Sequence, residues 1–447
     1  MYILLQHAPP LPSRAAAPAK SPHYRPPPPP PRRMSAPAAH VLEPSFMVQQ
    51  GENLMNVVYT RPCACTKSQL KISIGDPTFD GNLVTSKEAT EALLRQVDAP
   101  TNHSYQRPHG HPQACAAVAE FWGKHFAGDH AANIKVDNVV LACGGSEAIL
   151  HTLTALCDEG DNVLLPAPGF AQYPYVCDAY QIEKRMYHMT SDDNWEVNLD
   201  EIRTLVDDRT KAILLNNPSN PCGSNWSRSH VEAIIRLCEE LHLAIIADEI
   251  YAGIVYAGQT FTSVASFSTE VPRFIIAGTA KAFMAPGWRL GWTIVVDERN
   301  YVANIVTGMK NLAIMSMGPN ALLQHALPDL LRNTPESYFE KNNKEIEANA
   351  VYFAKSVRER CPGLSCGEPQ GALYLMVKVD LSRFPHYATD VDFYQALEDE
   401  ENVQVVPGTY MGSPGYFRAC ITRPAAIIEE VMERMAAFCT RHATPAA

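Results

Sequence analysis

No apolar run in the 447-residue chain approaches the ~20 residues that crossing a bilayer requires, so no membrane-spanning helix is expected. The chain also lacks any C-x-x-C pair or His-Cys spacing suited to zinc. Its 12 cysteines, from Cys63 to Cys439, are scattered singly and several lie in apolar stretches. No metal site is expected, and reduced thiols packed as small hydrophobes in an intracellular protein are. A basic surplus is missing as well: 37 Lys and Arg against 48 Asp and Glu give a formal net charge of −11, which argues against nucleic acid as a partner. No internal repeat is visible. What remains is a chain of ordinary globular composition, 46% hydrophobic and 19% charged, long enough for two domains.

Residues 1–45 are rich in proline, alanine and serine and have too few apolar side chains to order themselves. The run Pro26–Pro31 favours polyproline II, which an SH3-like domain can bind; an inert tail, or an extension upstream of a start at Met34, is the plainer reading. Arg14, Arg25, Arg32 and Arg33 without any acid suit a mitochondrial presequence, but the proline run prevents the amphipathic helix one needs. A cytoplasmic location is expected, with the mitochondrion as the alternative.

From about residue 70, short β-branched runs alternate with segments of helical period, the pattern of an α/β parallel sheet. The expected strands are Asn138–Cys143, Asn162–Leu165, Lys211–Leu215, Leu243–Ala247, Arg273–Ala277 and Trp292–Val296. After Ser227 a helix is expected, with Val231, Ile234, Ile235, Cys238 and Leu241 on its buried face. Beyond about residue 335 the text changes to a long charged helix (Glu336–Arg360), short strands and a last helix (Ala425–Arg441), which suggests a second, α+β domain.

Polar motifs fall just after four of these strands, where open α/β sheets bind ligands. In C-G-G-S-E-A (143–148), glycines let the backbone approach an anion, and Ser146 at a helix N-terminus suits phosphate; Ser146 as a plain helix cap is the structural alternative. In N-N-P-S-N-P-C-G (216–223), two Asn-Pro pairs make a rigid loop able to aim an amide, or simply a turn. In A-D-E-I-Y (247–251), Asp248 can hold a protonated ring nitrogen and Tyr251 a phenolic oxygen; Asp248 as an N-cap is the alternative. In G-T-A-K-A-F-M-A-P-G-W-R-L-G-W (278–292), Lys281 sits in an uncharged segment that lowers its pKa, and Arg289 follows in a fixed turn suited to phosphate.

The order and spacing of these four motifs resemble the fold-type I aminotransferases of class I/II, over residues 70–442. N-P-S-N-P-C-G, D-E-I-Y and K-x-x-x-x-P-G-W-R-L-G-W are most similar to the tyrosine aminotransferase subfamily. The resemblance implies a large domain of mostly parallel sheet between helices and a smaller α+β domain. Its boundaries would be 46–92 and 326–447 for the small domain and 93–325 for the large one. It implies pyridoxal 5′-phosphate as cofactor, with Lys281 as the Schiff-base lysine and Asp248 paired to the pyridinium nitrogen. Tyr251 and Asn220 would meet the ring hydroxyl oxygen, and Gly145, Ser146 and Arg289 the phosphate; Phe170 would stack on the ring. Gly278 replaces a serine common in the family, so Thr279 is the expected phosphate contact there. Tyr105 would reach the cofactor of the other subunit in a homodimer with active sites at the interface. Gly75, Asn220 and Arg418 would bind substrate, with Arg423 a competitor for the carboxylate. The activity implied is ping-pong transamination of aromatic and some other neutral L-amino acids, with 2-oxoglutarate or pyruvate as acceptor. Lys281 would carry the α-proton. No arginine marks a pocket for a side-chain carboxylate, so strict aspartate specificity is not expected. The rivals are a carbon–sulfur lyase on the same site and a cofactor-binding protein whose tail is the working part.

Overall fold

The computed structural model describes residues 45–49 and 54–445, so the proline run and Met34 lie outside the described residues. Seven strands form the main sheet: β1 (Val139–Ala142), β2 (Asn162–Ala167), β3 (Glu183–His188), β4 (Thr210–Asn216), β5 (Ala244–Asp248), β6 (Arg273–Gly278) and β7 (Gly291–Val296). Their spatial order is β1-β7-β6-β5-β4-β2-β3, and only β7 runs antiparallel to its neighbours. Six of these strands coincide with the expected ones to within two residues at each end. The seventh, β3, was not expected: its sequence E-K-R-M-Y-H is largely charged because it is an edge strand with a solvated face.

Helices cover both faces, which is why the inner strands read as almost continuous apolar text. Helices α1 (Pro112–Trp122), α2 (Gly145–Leu156), α3 (Gln172–Ala179) and α4 (Arg228–Leu241) do most of this covering. In β4, Ala212 and Leu214 pack with Ala148, Ile149 and Leu153 of α2, whereas Ile213 and Leu215 pack with Val231 and Ile234 of α4. The same two-residue alternation sends Ile246 of β5 to the α2 face and Ile245 and Ala247 to the α4 face. Ser227 caps α4 by accepting the amide of His230, and the helix ends at His242 in the left-handed region (φ 55°).

Beyond the main sheet come α5 (Glu336–Arg360) and α6 (Ala425–His442). They pack on an antiparallel sheet of β8 (Leu364–Ser365), β9 (Tyr374–Val379), β10 (Val406–Pro407) and β11 (Tyr416–Cys420), in the order β10-β11-β9-β8. Phe353, Val357, Phe417, Met432 and Phe438 belong to its own apolar cluster. Leu70–Lys71 pairs in parallel with Val403–Gln404, which ties the segment leading to Gly75 to this layer. No described helix is long and apolar enough to cross a membrane.

One buried acid of the main sheet's rim makes a stability test. Glu249 follows β5 and is 2% exposed. It accepts hydrogen bonds from the Ser263 hydroxyl (2.6 Å) and the Val264 amide (2.8 Å). Burial outweighs these bonds and pushes its carboxyl up to about 8. The unfolded chain releases this proton near the ordinary glutamate value, so the folded chain alone holds it, and stability declines as pH rises toward about 8. Glu249→Gln keeps a hydrogen-bonding side chain and removes the titration. It is expected to flatten the decline between about pH 5 and about pH 8, by on the order of a few kcal/mol, in denaturant melts at stepped pH. Parallel pH profiles for the two proteins would contradict this.

Candidate active site

Period-two alternation places the side chain of Asp248, the last residue of β5, on the α2 and α3 face of the sheet. It is no helix cap, because a turn follows it. Its carboxylate accepts the Tyr173 hydroxyl of α3 at 2.6 Å and the Ile250 amide at 3.2 Å. Burial nevertheless pushes this carboxyl up to about 6. Asn216, ending the neighbouring β4, donates its amide to the Asp248 carbonyl (2.8 Å) and accepts the Asn220 backbone amide (2.7 Å). The Asn-Pro loop is thereby anchored to the strand that carries the acid.

Lys281 lies three residues beyond β6, and its amine donates to the Gly75 carbonyl at 2.6 Å. Burial is the main cause that brings it down to about 8; Arg418 pushes the same way, while Asp76 and Asp248 oppose. Arg418, on β11, donates to the Asn220 side-chain oxygen (2.9 Å) and the Ser73 carbonyl (2.7 Å) and lies 4.5 Å from the Tyr374 ring centre. It has no carboxylate partner among the described residues, although it is only 4% exposed. The Tyr251 and Tyr374 hydroxyls meet at 3.0 Å. A Cβ on Gly75 would stand 2.2 Å from the Tyr374 hydroxyl, so only glycine fits beneath the lysine.

Opposite β5, the N-terminus of α2 is preceded by Gly144 at φ 86°, and no side chain caps it. A Cβ at Gly144 would come within 2.8 Å of the Arg289 guanidinium, which donates to the Pro286 (3.0 Å) and Cys143 (3.4 Å) carbonyls. Arg289 makes no ion pair among the described residues. Exposed amides, a helix dipole and an uncompensated guanidinium together form an anion cradle.

One cleft of about 830 Å³ gathers Gly75, Gly145, Ser146, Phe170, Asn220, Asp248, Tyr251, Lys281, Arg289 and Arg418. Three other expectations fall elsewhere. Thr279 is fully buried and its hydroxyl donates to the Leu290 carbonyl (3.2 Å); it does not line the cleft, and Ala280 does. This corrects the expectation of a Thr279 side-chain contact with phosphate. Arg423 is turned away, paired with Asp80 (3.1 Å) and stacked over Phe79, which leaves Arg418 as the cleft's carboxylate-sized fork. Tyr105 is 88% exposed on this chain and does not line its cleft. Sequence reasoning missed Tyr173 and Tyr374. Tyr173 follows Phe170 by three positions at the start of α3, a spacing that could have placed it on the same face. Nothing local marks Tyr374.

The buried amine gives a direct test. In ligand-free protein, labelling of Lys281 by an amine-reactive reagent, followed by peptide mass mapping, is expected to rise with a midpoint near pH 8. Exposed lysines titrate near about 10.4. Arg418→Met removes a repelling charge and is expected to move the Lys281 midpoint upward. A midpoint shared with the surface lysines would contradict the burial argument.

The family described as aminotransferase class I and II matches residues 67–435. Tyrosine aminotransferase of Mus musculus is 35% identical over 379 residues, covering 84% of this chain and 82% of the relative. That of Caenorhabditis elegans is 36% identical over 399 residues, covering 88% and 84%. Among solved structures, tyrosine aminotransferase from Leishmania infantum superposes with a TM-score of 0.89 at 39% identity, covering 91% of this chain and all of that one. The matched stretch runs through both sheets and every wall of the cleft except Tyr59: this chain belongs to the class I and II aminotransferases and is an enzyme that transfers amino groups.

Proposed function

We propose that the enzyme transfers the amino group of aromatic, and some other neutral, L-amino acids to a 2-oxo acid such as 2-oxoglutarate or pyruvate, using pyridoxal 5′-phosphate. The observation that carries this reading is the meeting, in one cleft, of a buried amine, a buried carboxyl and two guanidinium groups without carboxylate partners among the described residues.

The donor set fits the cofactor. The cradle of Gly144, the α2 N-terminus and Arg289 suits a phosphate, with Gly145 and Ser146 at its edge. Asp248 would face a ring nitrogen, and Phe170 would flank the ring. Tyr251 and the free amide of Asn220 would meet a ring oxygen, since the Asn220 carbonyl oxygen is taken by Arg418. When bound, pyridoxal phosphate supplies an aldehyde and an electron-withdrawing ring.

The chain's own groups account for the rest. Lys281, lowered to about 8, exists in both protonation states near neutral pH and can take a proton from a substrate α-carbon and return it. Asp248 keeps a proton on its nitrogen partner by offering a carboxylate, which Tyr173 and the Ile250 amide favour over the neutral form. Arg418 can present two N–H groups to a substrate carboxylate, held by Ser73 and Asn220. Tyr59, Tyr175, Tyr410 and Ile74 also line the cleft, a wall suited to an aromatic side chain. The three relatives named as tyrosine aminotransferases support the same donor class.

A homodimer belongs to the proposal. Ile314, Met315 and Met317 are 57%, 79% and 49% exposed, an apolar segment suited to a second copy. A Cβ on Gly318 would meet the Pro108 carbonyl at 2.1 Å, so this segment abuts the loop that carries exposed Tyr105. We infer that this loop carries Tyr105 to a partner's site.

Assays of tyrosine, phenylalanine, methionine, alanine and aspartate against two acceptors test the reading. Aromatic donors are expected to give the highest kcat/KM, and oxo acid should form beyond one turnover only when an acceptor is present. Sustained release without acceptor would instead establish an elimination enzyme. Lys281→Ala is expected to abolish turnover. Arg418→Met should raise KM for the amino acid by roughly 100-fold, the worth of two charge-assisted hydrogen bonds.

A further inference from the structure

Tyr374 has no part in the chemistry described above, yet it touches both halves of the cleft. It opens β9, is 2% exposed and lines the cleft. Its hydroxyl meets that of Tyr251 at 3.0 Å, with the two rings edge to face. Across the small sheet it is a diagonal neighbour of Arg418, because Met376 of β9 stands opposite that arginine on β11. The Arg418 guanidinium lies 4.5 Å over its ring centre. The side chain is held at both ends. A Cβ on Gly223 would stand 2.1 Å from the Tyr374 carbonyl, and one on Gly75 2.2 Å from its hydroxyl. The Asn-Pro loop therefore abuts the backbone, and the Gly75 segment the tip of the ring.

Counting protons sets the direction of the bond between the two phenols. A phenol has one proton to give and lone pairs to accept with. Among the described residues each hydroxyl has the other as its hydrogen-bond partner. Burial pushes Tyr374 up to about 12 and Tyr251 well above its ordinary value, so both keep their protons at neutral pH. Asp248, Lys281, Arg418, Tyr59 and Cys420 are the charged and titratable groups that face the pair. Arg418 stands closer to the ring of Tyr374 than Lys281 does to that of Tyr251, 4.5 Å against 5.9 Å. A cation favours release of a nearby phenol's proton, which makes Tyr374 the stronger donor of the two. A cofactor ring oxygen that has lost its proton only accepts. Tyr251 can serve it and stay bonded to Tyr374 only when Tyr374 donates.

We propose that Tyr374 is a positioning residue of the reaction: it donates to Tyr251, and so directs the Tyr251 proton to the ring oxygen of the cofactor. Hydrogen bonds in such a chain strengthen one another, so the second holds more negative charge on that oxygen than Tyr251 would alone. This rests on the placing of pyridoxal phosphate given above, with its ring oxygen at Tyr251.

The visible absorbance of the holoenzyme, titrated with pH, reads the proton of the bound chromophore. A donor on the ring oxygen favours loss of that proton, so weakening the donor moves the midpoint to higher pH. Tyr251→Phe is expected to raise it by about one unit or more, the worth of a hydrogen bond to a charged group. Tyr374→Phe, which keeps the ring beneath Arg418, is expected to raise it by about 0.3 units, the share that one bond adds to the next. Combined with Tyr251→Phe it should add nothing, because it acts through Tyr251. Tyr374→meta-fluorotyrosine keeps the hydroxyl, makes it a stronger donor and is expected to lower the midpoint; it decides the matter if Tyr374→Phe does not fold. The inference is overturned by no shift or a downward shift in Tyr374→Phe, by the same shift with and without Tyr251, or by an upward shift with the fluorinated ring. An equal shift of the Lys281 labelling midpoint in ligand-free Tyr374→Phe would also overturn it, as the mark of a disturbed site. A midpoint unmoved by Tyr251→Phe, or a wild type without a visible band, would instead defeat the cofactor reading, and the inference with it.

Discussion

The structure turns on removing one amine and one carboxylic acid from water at the rim of the main sheet. Desolvation acts on both in the same sense, against charge, and so moves their pKa values in opposite directions: Asp248 up to about 6 and Lys281 down to about 8. Two groups whose ordinary values lie far apart are thereby brought to either side of neutrality. An apolar sheet covered on both faces is what makes this possible, since only such a sheet delivers strand ends into a dry environment. Tyr173, Asn216, the Ile250 amide and the Gly75 carbonyl are the responses to that burial, each meeting a polar atom that would otherwise be unsatisfied.

The two cleft arginines follow a different rule. Arg423, Arg273 and Arg61 are each paired with a carboxylate, as partly or wholly buried guanidinium groups usually are. Arg418 and Arg289 are instead oriented by carbonyl and amide oxygens, which fix direction without cancelling charge. A guanidinium held in this way retains its attraction for an anion that arrives later. The glycines belong to the same design: Gly144 and Gly75 leave room where any Cβ would strike Arg289 or Tyr374.

Much of this was legible in the sequence because it is local. A strand's end, the residue after it and a Pro-Gly-Trp-Arg turn are neighbours in the chain, so Asp248, Lys281 and Arg289 could be singled out by position alone. Six strands were readable because burial on both faces leaves apolar text; β3 was not, because its edge position allows E-K-R-M-Y-H. Contacts across the fold were closed to inspection. Tyr173 meets Asp248 over 75 positions, and Tyr374 meets Tyr251 over 123. Arg418 and Arg423 look equivalent as text. They are separated by register, since Arg418 lies within β11 opposite Met376 and Val406, while Arg423 lies beyond the strand beside Asp80. Thr279 failed as a phosphate contact for a related reason: its hydroxyl is consumed by the Leu290 carbonyl, a partner eleven positions on.

The segment from Asp248 to Ile250 separates the cleft from a second, rear cavity of about 230 Å³. Asp248 lines the cleft, Glu249 lines the rear cavity, and Ile250 belongs to both walls. The two acids were forced to opposite sides by a strand's alternation, and each met its own desolvation cost with its own donors: Tyr173 and the Ile250 amide for one, Ser263 and Val264 for the other. Ile250 therefore closes from behind the cleft that Lys281 and Asp248 both line. The alternation that built the site thus also built the wall it shares with the cavity behind it.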